Sequence, residues 1–247
     1  LDNGGKYHQN KFQQKLWGNW ENFWGNFVPD AIHGADKVII ELNGDLIDGV
    51  NHNTTAVWST NIQSQRAEAA DILRPLISLG DIYVVRGTEA HSGPGSQEDE
   101  QLGKDIGAQQ NEVGDYSVWQ LWLDVDGQIF QFAHHIGVTS SAAYETSAPM
   151  REMVAGMIEA EQWGRKLPNV FVRSHRHRFV HVAIPSLKHE EIQTIITPGW
   201  QLRTAFVERI DRMRMPHIGG VVFIVEDERC QVLKKIYPLP EPRPIKI

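Results

Sequence analysis

Four short apolar runs in this chain each lead into carboxylates or imidazoles. VIIELNGDLID closes on Asp45 and Asp48, IYVVRGTEAH on Glu89 and His91, IFQFAHH on His134 and His135, and VFVRSHRH on His175 and His177. Brief runs of Val, Ile and Phe read as strands buried on both faces. In open α/β sheets, ligands sit beyond the carboxyl ends of the strands. Separate strands thus deliver acidic and imidazole groups to one edge, which constrains the chain to an α/β architecture with its chemistry there.

The intervening segments fit that architecture. Residues 11–27 carry Leu16, Trp17, Trp20, Phe23, Trp24 and Phe27 at helical spacing, a stripe that reads as core packing, and Pro29 is expected to end this helix. Residues 60–79 read as a helix kinked at Pro75 and closed by Gly80. Residues 97–113 read as a charged helix whose Glu98, Asp99 and Glu100 form a solvated start, and residues 142–165 as a long helix. Residues 116–125 and 128–132, joined by Asp126-Gly127, read as a β-hairpin. Residues 169–172, 180–184 and 192–196 read as strands, and residues 220–225 and 231–237 as a closing hairpin around Asp227-Glu228. Strands alternate with helices early and antiparallel pairs dominate late. The expected fold is α/β, with two packed mixed β-sheets flanked by helices. No repeat or linker divides residues 1–247, so they read as a single domain, with a Pro-rich tail at 238–247.

The residue types at the strand ends suit metal ions. Imidazole nitrogen favours zinc, iron or manganese, and carboxylate oxygen favours harder divalent ions. A carboxylate has two oxygens, so Asp45 is a candidate bridge between two cations. If Ser174-His175-Arg176-His177 continues its strand, alternation points His175 and His177 the same way. Two cations roughly 3.5–4 Å apart clamp a phosphate and lower the pKa of a water between them. His135 reads as structural, because its neighbour His134 points the other way. His181, His189 and His217 read as ordinary side chains, and His52 lies in the loop after Asp48.

The order of these clusters resembles the calcineurin-like metallophosphoesterases, and most closely their phage-type members. Gly44-Asp45-Leu46-Ile47-Asp48 is similar to the family's Gly-Asp-x-x-Asp motif. His134 resembles its lone histidine, Ser174-His175-Arg176-His177 its Gly-His-x-His with Ser for Gly, and Ile196-Thr197-Pro198-Gly199 the strand and turn that follow. The resemblance spans residues 38–199. It implies two divalent metal ions, with Asp45 bridging them, His134 and His175 on the second and His177 on the first. Two departures stand out. No Asp-x-His precedes Gly44, and the strand that should carry it is expected just upstream of Leu1, so the domain is expected to lack its first strand. Gly87-Thr88-Glu89-Ala90-His91 has no Asn, which leaves Thr88 or Glu89 as a substitute metal ligand. His91 is then expected to protonate the leaving oxygen, oriented by Asp48.

Composition narrows the alternatives. A net charge of −7 argues against a broad duplex-binding surface, although the arginines and eight tryptophans keep a single-strand or end-processing nuclease in view. Arg173, Arg176 and Arg178 bracket the last motif and Arg86 precedes the third; they read equally as a solvated strand edge or as phosphate-steering groups, with Arg176 and Arg86 the candidates for substrate contact. The expected partner is a phosphate ester, with a phosphodiester favoured over a phosphomonoester. The single cysteine excludes a disulfide framework, no apolar run is long enough for a membrane span, and the cytoplasm, of a bacterial or phage-infected cell, is the expected compartment. Walker A, GxGxxG and HExxH motifs are absent, which disfavours P-loop, dinucleotide and zincin chemistry. A binding or assembly domain that keeps the fold without catalysis is the competing reading, motivated by the two departures.

Overall fold

The computed structural model describes residues 6–50, 57–137, 141–186, 190–204, 207 and 215–239. His52, His189 and residues 240–247 of the Pro-rich tail lie outside them.

The first helix starts on a capping box. Asn10 Oδ1 accepts from the Phe12 and Gln13 amides, and Gln13 Oε1 accepts from the Asn10 amide. Helix α1 (Lys11–Asn22) runs through a π turn (Phe23–Phe27) into α2 (Val28–Ala31). Pro29 therefore does not end the helix. It sits in the first turn of α2, directly after the π turn in which the Val28 amide reaches back to the Phe23 carbonyl. The shift in hydrogen-bond register gives proline's missing N–H a tolerated position. Of the aromatic stripe, Trp20, Phe23, Trp24 and Phe27 are packing, whereas Leu16 and Trp17 join no core cluster of the described residues. Trp20 and Trp24 lie on Ile40, Leu42, Ile82 and Val84, and Phe23 packs with Val28, Tyr237 and Val222.

Strand β1 (Ile39–Asn43) is followed by α3 (Ile62–Leu73) and then by β2 (Asp81–Val85), which pairs with β1 in parallel. The chain leaves α3 through a 3-10 turn at Arg74–Ser78, where Pro75 removes an amide donor. A short helix α4 (Glu89–Ser92) and α5 (Gln97–Asp105) come next. Leu73, Leu76, Leu102 and Ile106 form one core cluster with Ile40 and Leu42 of β1. Helix α5 stops at Asp105, well short of residue 113, as Gly107 turns left-handed (φ 68°).

A five-stranded sheet holds the middle of the molecule. Strands β3 (Leu121–Val125) and β4 (Gln128–Phe132) form a hairpin, and helix α6 (Ser147–Trp163) connects it to β5 (Val170–Arg173), β6 (Val180–Ser186) and β7 (Glu190–Ile196). The order is β3-β4-β5-β7-β6, with β5 parallel to both neighbours and β6 antiparallel to β7. Asp126 and Gly127 both take positive φ, as a two-residue type I′ hairpin turn requires. Residues 116–120 are not strand; they carry only one bridge, from Val118 to Val85. Met153 of α6 packs with Phe171, Val180 and Ile196 on one face of this sheet. The other face, Phe130, Phe132, Val170, Val172 and Ile195, meets the hairpin of β8 (Ile218–Glu226) and β9 (Arg229–Tyr237) through Val221, Phe223 and Val225.

The fold is thus α/β, with packed sheets flanked by helices. Strand pairing divides the sheets into three rather than two, because among the described residues nothing joins β1 to β8.

Candidate functional site

The four strand ends do converge. Asp45 follows β1, Gly87 and Thr88 follow β2, His134 follows β4, and His175 and His177 follow β5. Glycine at two positions lets the loops after β1 and β2 touch. A Cβ on Gly44 (φ 76°) would lie 2.5 Å from the Gly87 Cα, and one on Gly87 would lie 2.2 Å from the Asp45 nitrogen. Both clashes are with backbone, which has no rotamer to yield.

Asp45, His134 and His175 offer ligand atoms that all lie within 4.8 Å of one another. Asp45 Oδ2 is 2.9 Å from His134 Nε2 and 3.8 Å from His175 Nδ1, and those two nitrogens are 3.3 Å apart. His91 Nε2 stands 4.0 Å from the same Oδ2. The Asn43 carbonyl faces His134 Nδ1. A carbonyl only accepts, so Nδ1 is the donor and Nε2 is turned toward Asp45. This is the usual way a ligating imidazole is oriented.

Charge at the site is set by competition. Burial of Asp45 acts to raise its pKa, but the hydrogen bonds from His134 and His175, and the nearby His134 and His91 charges, hold it far below the usual carboxylate range. Burial lowers the pKa of His134, yet its bond to Asp45 and that carboxylate's charge outweigh the loss, with the Asn43 carbonyl adding to the rise. Burial pushes His177 down to about 4, so its imidazole is neutral with a free lone pair at neutral pH.

The remaining candidates fall into two groups. His177 is half-buried against Gly199 and joins the cleft beside the cluster, but not the trio that meets within 4.8 Å. His91 also lines the cleft. Its Nδ1 donates to the Asp48 main-chain carbonyl at 2.8 Å, while the Asp48 carboxylate accepts from Gln201 Nε2 at 2.7 Å. Any orienting contact to His91 from residue 48 is thus made by the backbone. The expected alternation of His175 and His177 along a strand is corrected. Strand β5 ends at Arg173, and both histidines take left-handed φ, 66° and 49°, in the turn that follows.

Thr88 and Glu89 have other roles. The Thr88 amide and hydroxyl both donate to Asp45 Oδ1, at 2.6 and 2.8 Å, and Glu89 Oε1 accepts from the Gly95 amide at 3.0 Å. Arg86 bonds Ser117 Oγ, pairs with Glu100 and lies over Trp119, which turns it from substrate contact to scaffold. Arg173 is buried on Glu152 and the Gln131 side chain, and Arg178 pairs with Glu145. Arg176 lines the cleft.

Two residues given other readings from the sequence stand at or behind the cluster. His135 is exposed, and its ring centre lies 5.1 Å from that of His175, at the rim of the cluster. Asp99 is only 1% exposed, so it is no part of a solvated helix start. Its Oδ2 accepts from the Gly87 amide at 2.7 Å and its Oδ1 from the Leu46 amide at 3.5 Å. A signal existed: Asp99, Leu102, Gly103 and Ile106 share one helical face, and that face is buried.

Several solved structures are similar to this chain. One is a novel archaeal phosphodiesterase, at 10% identity and a TM-score of 0.44, covering 86% of this chain and 94% of that one. Another is a conserved uncharacterized protein described as a predicted phosphoesterase, from Streptococcus pneumoniae, at 10% identity and a TM-score of 0.40, covering 81% and 92%. A third is Vps29 complexed with zinc, from Entamoeba histolytica, at 9% identity and a TM-score of 0.35, covering 79% and 98%. No family model and no curated protein matches the chain.

One carboxylate and two imidazoles in mutual contact, with further imidazoles around them, form a candidate metal site. The donor set suits zinc, iron or manganese better than calcium or magnesium. No helix among the described residues is long and apolar enough to cross a membrane.

Proposed function

We propose that this chain is a calcineurin-like metallophosphoesterase that hydrolyses a phosphate ester, a phosphodiester in preference to a monoester, in the cytoplasm. The observation that carries this reading is the convergence of Asp45, His134 and His175 beyond three strand ends, in the motif order of that family. Asp45, His134 and His175 would hold one divalent ion, and His177, neutral at neutral pH, would serve a second. Such ions, when bound, withdraw charge from the phosphate and lower the pKa of a water. Arg176 would grip a phosphate oxygen from the same cleft. His91, with Nδ1–H on the Asp48 carbonyl and Nε2 4.0 Å from Asp45 Oδ2, would protonate the leaving oxygen.

One observation favours a second reading, in which the fold serves binding and catalysis is impaired. Both Thr88 donors occupy Asp45 Oδ1, the oxygen a bridging carboxylate would give to a second ion. Elemental analysis separates the readings. The intact protein is expected to carry up to two divalent ions, and Asp45→Asn and His175→Ala to lose most of them; wild-type metal content in both variants refutes the site.

Turnover then tests the chemistry. With manganese supplied, the nitrophenyl diester is expected to outrank the matching monoester, short single-stranded DNA and a phosphopeptide in kcat/KM. His91→Ala is expected to lower kcat by about 10²–10⁴-fold on an ester with a poor leaving group, and by less on the nitrophenyl ester. Equal losses on both remove His91 from the acid role. No turnover with both ions bound transfers the site to the binding reading.

A further inference from the structure

Unpaired backbone groups along a sheet edge accept another strand, and proteins guard such edges with proline or lysine. Strands β3 and β6 end the five-stranded sheet, and β9 ends the two-stranded one on the side away from β8. Strand β6 carries Pro185, which removes a donor, and β9 carries Arg229, Lys234 and Lys235. Strand β3 reads LWLDV, with neither proline nor lysine, and its one charge, Asp124, is paired with Lys166 at 3.6 Å. Among the described residues β4 is its sole strand partner, and none of its five residues is fully buried. Trp122 is 43% exposed, and Trp119, just before the strand, 51%. Exposed indoles beside an unguarded edge are the signature of an interaction surface.

The hairpin determines which groups face out. Val125 and Gln128 flank the two-residue turn, so they form a hydrogen-bonded pair, and the pattern alternates from there. Leu121, Leu123 and Val125 therefore direct their amides and carbonyls to β4. The amides and carbonyls of Trp122 and Asp124 point to the open edge. A strand added there must offer its own outward groups in step with these.

A second copy of β3, antiparallel about a two-fold axis through Leu123, does so. Trp122 falls opposite the partner's Asp124, and such a pair exchanges both N–H···O bonds. Leu123 meets the partner's Leu123 as a non-hydrogen-bonded pair, with Cα atoms about 4.5 Å apart. On one face Leu121, Leu123 and Val125, which pack on the cluster of Phe130 and Val170, align with the same residues of the partner, so the apolar cluster continues across the axis. On the other face Trp122 lies beside the partner's Asp124, whose ion pair sets the partner's Lys166 within reach of the indole. Symmetry makes each of these contacts twice. An axis through Asp124 would set two carboxylates opposite each other. One through Trp122 would run Asp124 and Val125 onto the partner's residues 119 and 120, which are not strand. We propose that this chain forms a two-fold dimer through β3, joining two five-stranded sheets edge to edge. This inference does not rest on the metal or the reaction.

Sedimentation equilibrium tests it. One short strand and two indoles a side bury about 1,000 Å², the small end of specific interfaces, so a Kd on the order of 10 μM is expected. The purified protein should pass from a 28.0 kDa monomer toward a dimer of twice that mass between about 1 and 200 μM. Trp122→Lys exchanges an exposed side chain for an edge guard, and should weaken association by about 100-fold or more with Tm unchanged. A protein that stays monomeric to about 200 μM overturns the proposal, and so does a dimer that Trp122→Lys leaves intact. Disulfide trapping checks the register. In a Cys230→Ser background, Leu123→Cys should form an intermolecular disulfide on oxidation. Val125→Cys, about 13 Å from its symmetry mate, should not. Equal trapping of the two, or none at Leu123→Cys, overturns the axis. Sedimentation of the wild type and Trp122→Lys decides even where a cysteine variant does not fold.

Discussion

Removing the Asp99 carboxylate should loosen the site from behind. Asp99 holds the Gly87 amide after β2 and the Leu46 amide after β1, and burial pushes its pKa up despite these bonds and one from Ser92. The same two loops carry Thr88 and Asp45, whose mutual bonds fix the carboxylate that faces His134 and His175. Asp99→Ala strands both amides. A buried donor left unsatisfied costs about 1–3 kcal/mol; the Leu46 contact, at 3.5 Å, counts at the low end. Relief of a buried charge offsets part of this, leaving a net loss of about 1–3 kcal/mol. At about 2–4 °C per kcal/mol for a chain of this size, Tm should fall by about 2–12 °C. Asp99→Asn keeps one acceptor and should lose about half as much. Urea denaturation gives the stability, and a zinc or manganese titration gives the affinity at the Asp45 cluster. Asp99→Ala within about 0.5 kcal/mol of wild type refutes the strap. A stability loss with unchanged metal affinity refutes its link to the site.

Two further substitutions read different parts of the same region. Gly87→Ala would set a Cβ 2.2 Å from the Asp45 nitrogen and 2.3 Å from its Oδ1, so metal content and Tm should both drop, whereas Gly18→Ala, with nothing within 4 Å in mid-helix, should stabilise by about 0.5–1 kcal/mol; a Gly87→Ala protein with wild-type Tm and metal content overturns the close approach. Burial raises the Glu41 carboxyl well above its usual pKa, so the folded state holds a proton the unfolded state releases: stability is complete below the unfolded pKa near 4.5 and falls as pH rises toward the folded one, at up to about 1.4 kcal/mol per pH unit. Glu41→Gln should flatten that slope in urea melts between pH 5 and 8, and an unchanged slope rejects Glu41 as its cause.

How far the sequence could be read depended on whether a residue's role was local. Strand ends with their imidazoles and carboxylates announce themselves, since a run such as VFVR has few ways to be buried and its successors must emerge at an edge. The positions of His134 and Asp45 follow from that logic. What the sequence hid were roles decided by partners far along the chain. Arg86 looks like a phosphate ligand until Glu100 and Ser117 are seen to hold it, and Arg173 until Glu152 is. Period-2 alternation fails at His175 and His177, because left-handed backbone there has no period and a two-residue rule cannot detect it. Pro29 shows the same limit in a helix: its cost depends on whether the preceding turn is α or π, and hydrogen-bond register is not written in composition. Asp99 differs in kind, because its i, i+3, i+4, i+7 spacing with Leu102, Gly103 and Ile106 is visible in the residue order alone. A charged residue on an apolar stripe has either a partner or an energetic reason to leave. Here the partners are two backbone amides of the loops that carry the site, so the stripe itself pointed to a group built to hold Asp45 in place.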